Sequence, residues 1–142
     1  MAITRIGKPA IADIRGVNFR NIIINGGMDI AQRGTSATGL GNGDSDYHTV
    51  DRFKFVENNA PTCEFTQTQS TDVPTGQGFS KSLKMDCTTA QTSLAGDDFI
   101  YINTSAEGQN LQYLKKGTSS AESVTLSFWV KSNKTGTYIF EI

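Results

Sequence analysis

The chain has 142 residues, of which 13 are basic and 14 acidic, with 37% hydrophobic and 19% charged residues. One domain is expected, because domains usually hold roughly 100–200 residues. Typical domains contain about 45–50% hydrophobic and about 25% charged residues, so the surplus of Gly, Ser, Thr, Asn and Gln favours a β-rich, turn-rich chain. The absence of a basic cluster argues against nucleic-acid binding. The longest apolar run, residues 22–24, is too short for membrane insertion, which needs ~20 residues, and no secretory signal is recognised.

Residues 1–20 place isolated apolar side chains among Pro9, glycines and charged residues, without the period of a strand or of a helix. One helical turn after Pro9 is allowed, but an extended N-terminal arm is the simpler prediction. Apolar residues this sparse must be covered by the rest of the chain or by a neighbouring subunit, and we favour the neighbour. The side chains expected at that subunit interface are Ile3, Ile6, Ile11 and Ile14.

The next segment predicts two short elements and a loop. Residues 21–27 predict a short buried strand ending in a turn, because Ile is β-branched and Asn25-Gly26 favours positive φ. A second short element is expected over residues 28–32. Residues 34–46 are so rich in Gly and small polar side chains that we predict a mobile surface loop.

Most of the remaining chain alternates apolar and polar residues with the period of two that is typical of strands. Residues 107–116 are the one helical candidate, with Gly117 as the C-cap. The predicted strands are residues 47–56, 62–69, 79–87 and 99–102, the last of them apolar on both sides, as in a strand covered on both faces.

The clearest alternation lies at the end of the sequence, where residues 124–130 turn through residues 133–136 into residues 138–142 and predict an amphipathic hairpin. Short strands joined by polar turns indicate a mainly β protein, an antiparallel β-sandwich of jelly-roll type over residues 21–142, rather than βαβ units. Because the sequence stops at Ile142 on an expected strand, either that strand ends the sheet or further residues or another chain complete the sandwich. We expect it to be incomplete at the C-terminus.

Few residues of the sequence indicate a catalytic or metal-binding site. A single histidine, His48, is expected to be a surface residue, and Asn42-Gly-Asp44-Ser-Asp46 resembles the start of a calcium loop but lacks its later Gly and Glu. No nucleophilic triad, phosphate-binding loop, metal site or cofactor is predicted, and we expect no enzyme. Cys63 and Cys87 are expected to be buried free thiols. Acidic pairs suited to glycoside cleavage could be assembled from Glu57, Glu64, Asp86, Asp97 or Asp98, but any chain with 14 acidic residues offers such pairs.

Three stretches together resemble a domain that recurs in virion and tail-fibre proteins of tailed bacteriophages, short-tailed phages of marine bacteria among them. They are residues 21–35, residues 47–53, and residues 124–132 followed by 135–138. The similarity runs in order over residues 21–142. The chain departs from the expected pattern at Gly27, where a polar residue is expected, and at Phe53, where Trp is expected.

The resemblance implies a jelly-roll sandwich related in shape to carbohydrate-binding modules, which usually continues beyond the position of Ile142. It implies a virion structural protein, a subunit of a tail fibre or appendage or an adaptor, made in the host cytoplasm. The arm of residues 1–20, with its scattered isoleucines, is expected to attach it to the particle. Other phage structural proteins are the expected partners, and a homo-oligomer, with a trimer favoured for a fibre, is expected. The motif residues, expected to be structural, are Asn21, Asn25, Gly26, Gln32, Arg33, Gly34, Asp51, Arg52 and Trp129.

An alternative function is a host-glycan receptor-binding module. Tyr47 and Trp129 are the candidate contacts to a surface polysaccharide, because aromatic side chains stack on sugar rings. The competing prediction, which we favour, is that Trp129 packs beneath a loop or the arm with its indole N–H satisfied. Asp51-Arg52 is expected to form an ion pair that orders the long loop. A polysaccharide depolymerase is a weaker third hypothesis.

Overall fold

The computed structural model describes residues 21–58 and 62–142, so the predicted arm and its four interface isoleucines lie outside the described residues. The described chain is mainly β, with little helix. One short helix, α1 (Gly108–Leu111), continues into a 3₁₀ turn at Gln112–Leu114. The strands are β1 (Ser36–Gly41), β2 (Ser45–Asp46), β3 (Lys54–Asn58), β4 (Glu64–Ser70), β5 (Ser82–Thr89) and β6 (Phe99–Asn103).

The strands form two small antiparallel sheets. Sheet A has the order β1-β4-β5, and sheet B has the order β2-β3-β6. In sheet A the hairpin of β4 and β5 pairs Phe65 with Cys87, and the register shifts between Glu64 and Phe65. In sheet B the pairing of β3 with β6 joins strands that are far apart in the sequence.

The core lies where the two sheets meet. Phe55 on β3 is completely buried, and its ring centroid lies 5.9 Å from that of Phe65 on β4. An aromatic pair therefore joins sheet B to sheet A. The other buried apolar residues are Leu40, Val50, Phe53, Cys63 and Leu114. β5 and β6, each at an edge of its sheet, are largely exposed, so the sheets are not closed around this core.

Several predicted elements are confirmed. The predicted strand segments at 62–69, 79–87 and 99–102 overlap β4, β5 and β6, which extend one or two residues further. The predicted helix contains α1 and its 3₁₀ continuation, although its left-handed C-cap is Lys115, with φ 49°, rather than Gly117.

Other predictions are wrong. Residues 21–32 form turns and irregular chain instead of a strand and a second element, and residues 34–46 contain β1 and β2 instead of a mobile loop. The strand predicted from residue 47 starts only at Lys54. β6 is exposed along its whole length, not covered on both faces. Residues 124–142 form no β-strand, so the two halves of the clearest predicted hairpin are not joined by a ladder of backbone hydrogen bonds.

Candidate functional site

The side chain of Asn25 organises the start of the domain. Its Nδ2 donates to the carbonyl oxygens of Ile30 and Asp51, both at 2.9 Å, and its Oδ1 accepts from the Ile30 N–H at 3.0 Å. Asn25 itself has φ 60°, a left-handed conformation that Asn tolerates better than most residues. One amide therefore closes the 25–30 turn and fastens it to the chain at residue 51.

Asp51 completes this junction from the other side. Its N–H donates to the Ile30 carbonyl at 2.9 Å, and its Oδ1 accepts from the Gln32 N–H at 3.1 Å and lies 3.7 Å from Arg33 Nη1. The predicted Asp51–Arg52 ion pair is wrong. Arg52 adopts φ 75°, and its Nη2 lies 3.7 Å from Glu107 Oε1. Neighbouring residues point apart because the chain turns between them.

The remaining motif residues of this region lie around the same junction. Asn21 Oδ1 accepts from the Ile23 N–H at 3.0 Å, and a side chain at Gly26 would press against the Asn21 amide. Gly34 has φ 148°, a conformation that L side chains rarely adopt. From β4, Gln69 Nε2 donates to the carbonyls of Met28 and Asp29 at 2.6 and 3.0 Å. The structure thus brings the motif residues of 21–34 together with Asp51, whereas Trp129 belongs to a different surface.

Asn25→Ala is expected to lower the free energy of unfolding by about 2–4 kcal/mol. Removal of the amide leaves carbonyl and N–H groups unpaired at the junction, and alanine is strained at φ 60°. Urea unfolding followed by circular dichroism measures the change.

Two variants separate the causes of this loss. Asn25→Gly keeps the left-handed backbone and loses only the hydrogen bonds. Asn42→Ala places alanine at a similar φ of 57° on an exposed residue for which the structure shows no side-chain hydrogen bond to another described residue. If Asn25→Ala cost no more than Asn42→Ala, the junction would not depend on the Asn25 amide.

The structure contains a buried polar pair that was not predicted from the sequence. Thr49 Oγ1 donates to Gln67 Oε1 at 2.8 Å, and both residues are almost completely buried. Gln67 Nε2 has no hydrogen-bond partner among the described residues. The sequence contains one indication of this pair, because the alternation in β4 puts Gln67 on the same face as Cys63 and Phe65. A polar residue at an expected core position indicates a buried partner.

The polar loop around residue 44 is held by its own contacts. Asp44 Oδ2 lies 2.9 Å from His48 Nε2, although the Nε2–H makes no aligned hydrogen bond, and the His48 ring lies 6.3 Å from that of Phe55. Asp46 Oδ1 accepts from the Tyr47 N–H at 2.7 Å. The Gly43 N–H donates to the buried carboxylate of Glu57. Both acidic groups of the calcium-like segment therefore have neighbours within the protein, His48 for Asp44 and the Tyr47 N–H for Asp46.

The other acids considered for catalysis are spread over separate contacts. Glu64 Oε2 accepts from Thr89 Oγ1 at 3.3 Å, and Asp86 pairs with Lys84 on the same strand. Asp98 Oδ2 accepts from Gln91 Nε2 at 3.0 Å and from the Ala95 N–H at 2.8 Å. Such contacts order a hairpin and a turn.

An extended apolar surface is exposed elsewhere. Its first part is β6, where the rings of Phe99 and Tyr101 stack with centroids 5.6 Å apart. Its second part is residues 124–142, where the rings of Phe128 and Phe140 lie 4.2 Å apart, so this segment folds back on itself without a ladder. We call these two parts the apolar band. Its large exposed members are Phe99, Ile100, Tyr101, Ile102, Val124, Leu126, Phe128, Trp129, Val130, Tyr138, Ile139, Phe140 and Ile142.

A cleft of about 290 Å³ lies beside Trp129, lined also by Phe79, Ser127 and Phe128. Trp129 is 63% exposed, so no loop among the described residues covers it, and the predicted packing beneath the arm lies outside the described residues. Tyr47 does not line this cleft; the Arg33 guanidinium lies over its ring, 5.5 Å from the centroid. The two aromatic residues proposed as glycan contacts therefore have different surroundings, and only Trp129 presents an open ring.

Within residues 21–58 and 62–142, no helix has the length and apolar character that crossing a bilayer requires. Over the same part of the chain, no group of three or more His, Cys, Asp or Glu side chains is placed to hold a metal ion.

Comparison with known proteins finds no matching family model, no matching curated protein and no matching solved structure. The resemblance to phage virion proteins therefore stays a prediction from the three sequence stretches.

Proposed function

We propose that this chain is a non-enzymatic structural subunit of a bacteriophage virion, belonging to a tail fibre or appendage or to an adaptor. Its β-sandwich is completed by contacts with other subunits, and residues 1–20 attach it to the particle. The observation that supports this most directly is the apolar band, because both of its parts leave many large apolar side chains exposed, and large exposed apolar patches are characteristic of protein–protein interfaces.

The total surface area is consistent with an open subunit. The chain exposes 11133 Å², whereas a closed monomer of this mass would expose about 7,200 Å². The residues outside the described ranges can account for at most the area of unfolded chain, about 3,600 Å², and a closed domain of the described residues alone would expose about 6,300 Å². An excess of roughly 1,200 Å² therefore remains on the described residues. A stable interface buries about 800 Å² on each partner, so the excess suffices for one or two subunit contacts.

The form of the apolar band favours β-sheet contacts between subunits. β6 is the edge strand of sheet B, and residues 124–130 alternate apolar and polar side chains without a ladder. Exposed strand edges with apolar side chains pair readily with further strands. A homo-oligomer, with a trimer favoured for a fibre, would cover both parts of the band.

The expected result is that the purified protein forms an oligomer of defined mass, measured by light scattering after size exclusion. Val130→Lys combined with Ile139→Lys should reduce it to monomer, because these side chains are 67% and 78% exposed and lysine cannot be buried unpaired at an interface. Thr125→Lys, on the alternate polar side of the segment, is the matched control. A wild-type chain that stays monomeric at every accessible concentration would contradict self-association.

A second candidate, favoured by the open cleft at Trp129, is binding of a host surface polysaccharide. Trp129→Ala should abolish binding measured by calorimetry with host polysaccharide, and Tyr47→Ala should retain it because Arg33 covers that ring. Absence of binding by the wild-type chain would exclude this candidate. A depolymerase would in addition release free sugars from the same polysaccharide.

A further inference from the structure

The two cysteines face each other across the hairpin of β4 and β5. Cys87 is the register partner of Phe65, and Cys63 precedes Phe65 by two residues. Residues two apart on a strand point to the same face, so Cys63 and Cys87 are diagonal neighbours on the face that carries Phe65. The bulge between Glu64 and Phe65 adds one residue, Thr88, to β5 at this point, which bends the ladder locally.

The thiol groups of Cys63 and Cys87 interact with each other, and both are free. Cys87 Sγ also lies 3.4 Å from the Thr89 carbonyl oxygen. Diagonal cross-strand neighbours are about 7–8 Å apart, whereas a disulfide needs Cβ atoms about 3.5–4.5 Å apart. Formation of the bridge therefore draws the start of β4 towards β5 at the bulge.

The two thiols differ in reactivity. Cys63 is 6% exposed whereas Cys87 is exposed. Burial raises the pKa of the Cys63 thiol, and the neighbouring Cys87 and Glu57 raise it further against a backbone hydrogen bond from Gln91. Because the thiolate is the nucleophile and must be reached by the reagent, Cys87 is the group that reacts first.

We propose that Cys63 and Cys87 form an intrachain disulfide by exchange with a small-molecule disulfide. The Cys87 thiolate attacks one sulfur of the reagent and releases one small thiol, leaving a mixed disulfide. The Cys63 thiolate then attacks the Cys87 sulfur and releases the second small thiol. The protein loses two electrons and two protons, and the small disulfide gains both as it becomes two thiols.

The bridge would join the start of β4 to β5 and enclose residues 64–86. A closed loop of this length restricts the unfolded chain and so stabilises the folded one. If the chain belongs to a virion, as proposed above, it would pass from a reducing cytoplasm to an oxidising exterior, and the bridge would form after release. The exchange chemistry itself does not depend on that role.

The test treats the whole chain with oxidised glutathione and then measures intact mass, a peptide map and Tm. The expected result is the loss of two hydrogens, a Cys63–Cys87 peptide, and a Tm higher by about 10 °C, all reversed by dithiothreitol. Cys87→Ser should show none of these changes, and its exposed position allows the variant to fold. A stable glutathione adduct on wild-type Cys87, or a disulfide-linked dimer without the internal bridge, would overturn the proposal.

Discussion

Phe55→Ala is expected to lower the free energy of unfolding by about 3–5 kcal/mol, the range for removal of a buried aromatic side chain. Phe55 is completely buried and its ring contacts Phe65 of the opposite sheet and His48. The truncation removes the aromatic pair that joins sheet A to sheet B and leaves a cavity between them. Urea unfolding at fixed protein concentration, followed by far-ultraviolet circular dichroism, measures the loss.

Phe99→Ala is the matched control, since it removes the same side chain from β6, where Phe99 is 46% exposed. Its effect should not exceed about 1.5 kcal/mol, because less apolar area leaves water on folding. Equal losses for the two variants would mean that Phe55 does not join the sheets in solution.

Gly41→Ala is expected to cost about 2–5 kcal/mol. A Cβ at this position would overlap the carbonyl oxygen of Cys63, where β1 lies against the start of β4, and the backbone at φ 157° is one that side chains rarely adopt. Either the strands separate or the backbone rotates, and both responses weaken sheet A. The midpoint of urea unfolding is the measurement.

Alanine variants of two further glycines distinguish a steric clash from backbone strain. Gly39→Ala places a Cβ at φ 69° with no atom within 4 Å and should cost about 1–2 kcal/mol. Gly96→Ala has neither a positive φ nor a near neighbour and should change stability by about 0.5 kcal/mol or less. The order of losses should be Gly41, then Gly39, then Gly96, and a different order would contradict the close approach at Cys63.

Side-chain alternation predicted β4 and β5, whose segments carry apolar residues on one face. β6 was predicted from a short run that is apolar on both sides. β1 was not, because its sequence of Gly, Ser, Thr and Ala with a single Leu40 has no apolar face, and it is a strand only because β4 provides its hydrogen bonds. Local composition indicates a loop there, and pairing with a distant strand overrides it.

The opposite error occurred at residues 22–24 and 124–130. Both are rich in apolar residues that favour strands, yet neither has a ladder partner among the described residues. At the first, the side-chain hydrogen bonds of Asn25 stabilise a turn instead. At the second, the alternating face is present but remains exposed. Strand propensity is a property of one segment, whereas a β-strand forms only when a second segment pairs with it.

Only part of the candidate site could be predicted, because its contacts also depend on segments that are far apart in the sequence. Asn25, Gln32 and Asp51 were selected as motif residues, but their contacts join positions far apart in the sequence, and the partner of Asp51 is Arg33 rather than its neighbour Arg52. The open ring of Trp129 could not be predicted, because exposure depends on what the rest of the chain fails to cover. Only the structure shows these outcomes.

The order of strands in sheet B also bears on the folding of the chain. Asn58 pairs with Phe99 across all of β4 and β5, whereas β4 and β5 are joined by residues 71–81 alone. Closing the larger loop costs more chain entropy before any contact compensates for it. The β4–β5 hairpin should therefore form early and β6 should join last, so that in native-state hydrogen exchange the amides of β6 lose protection first.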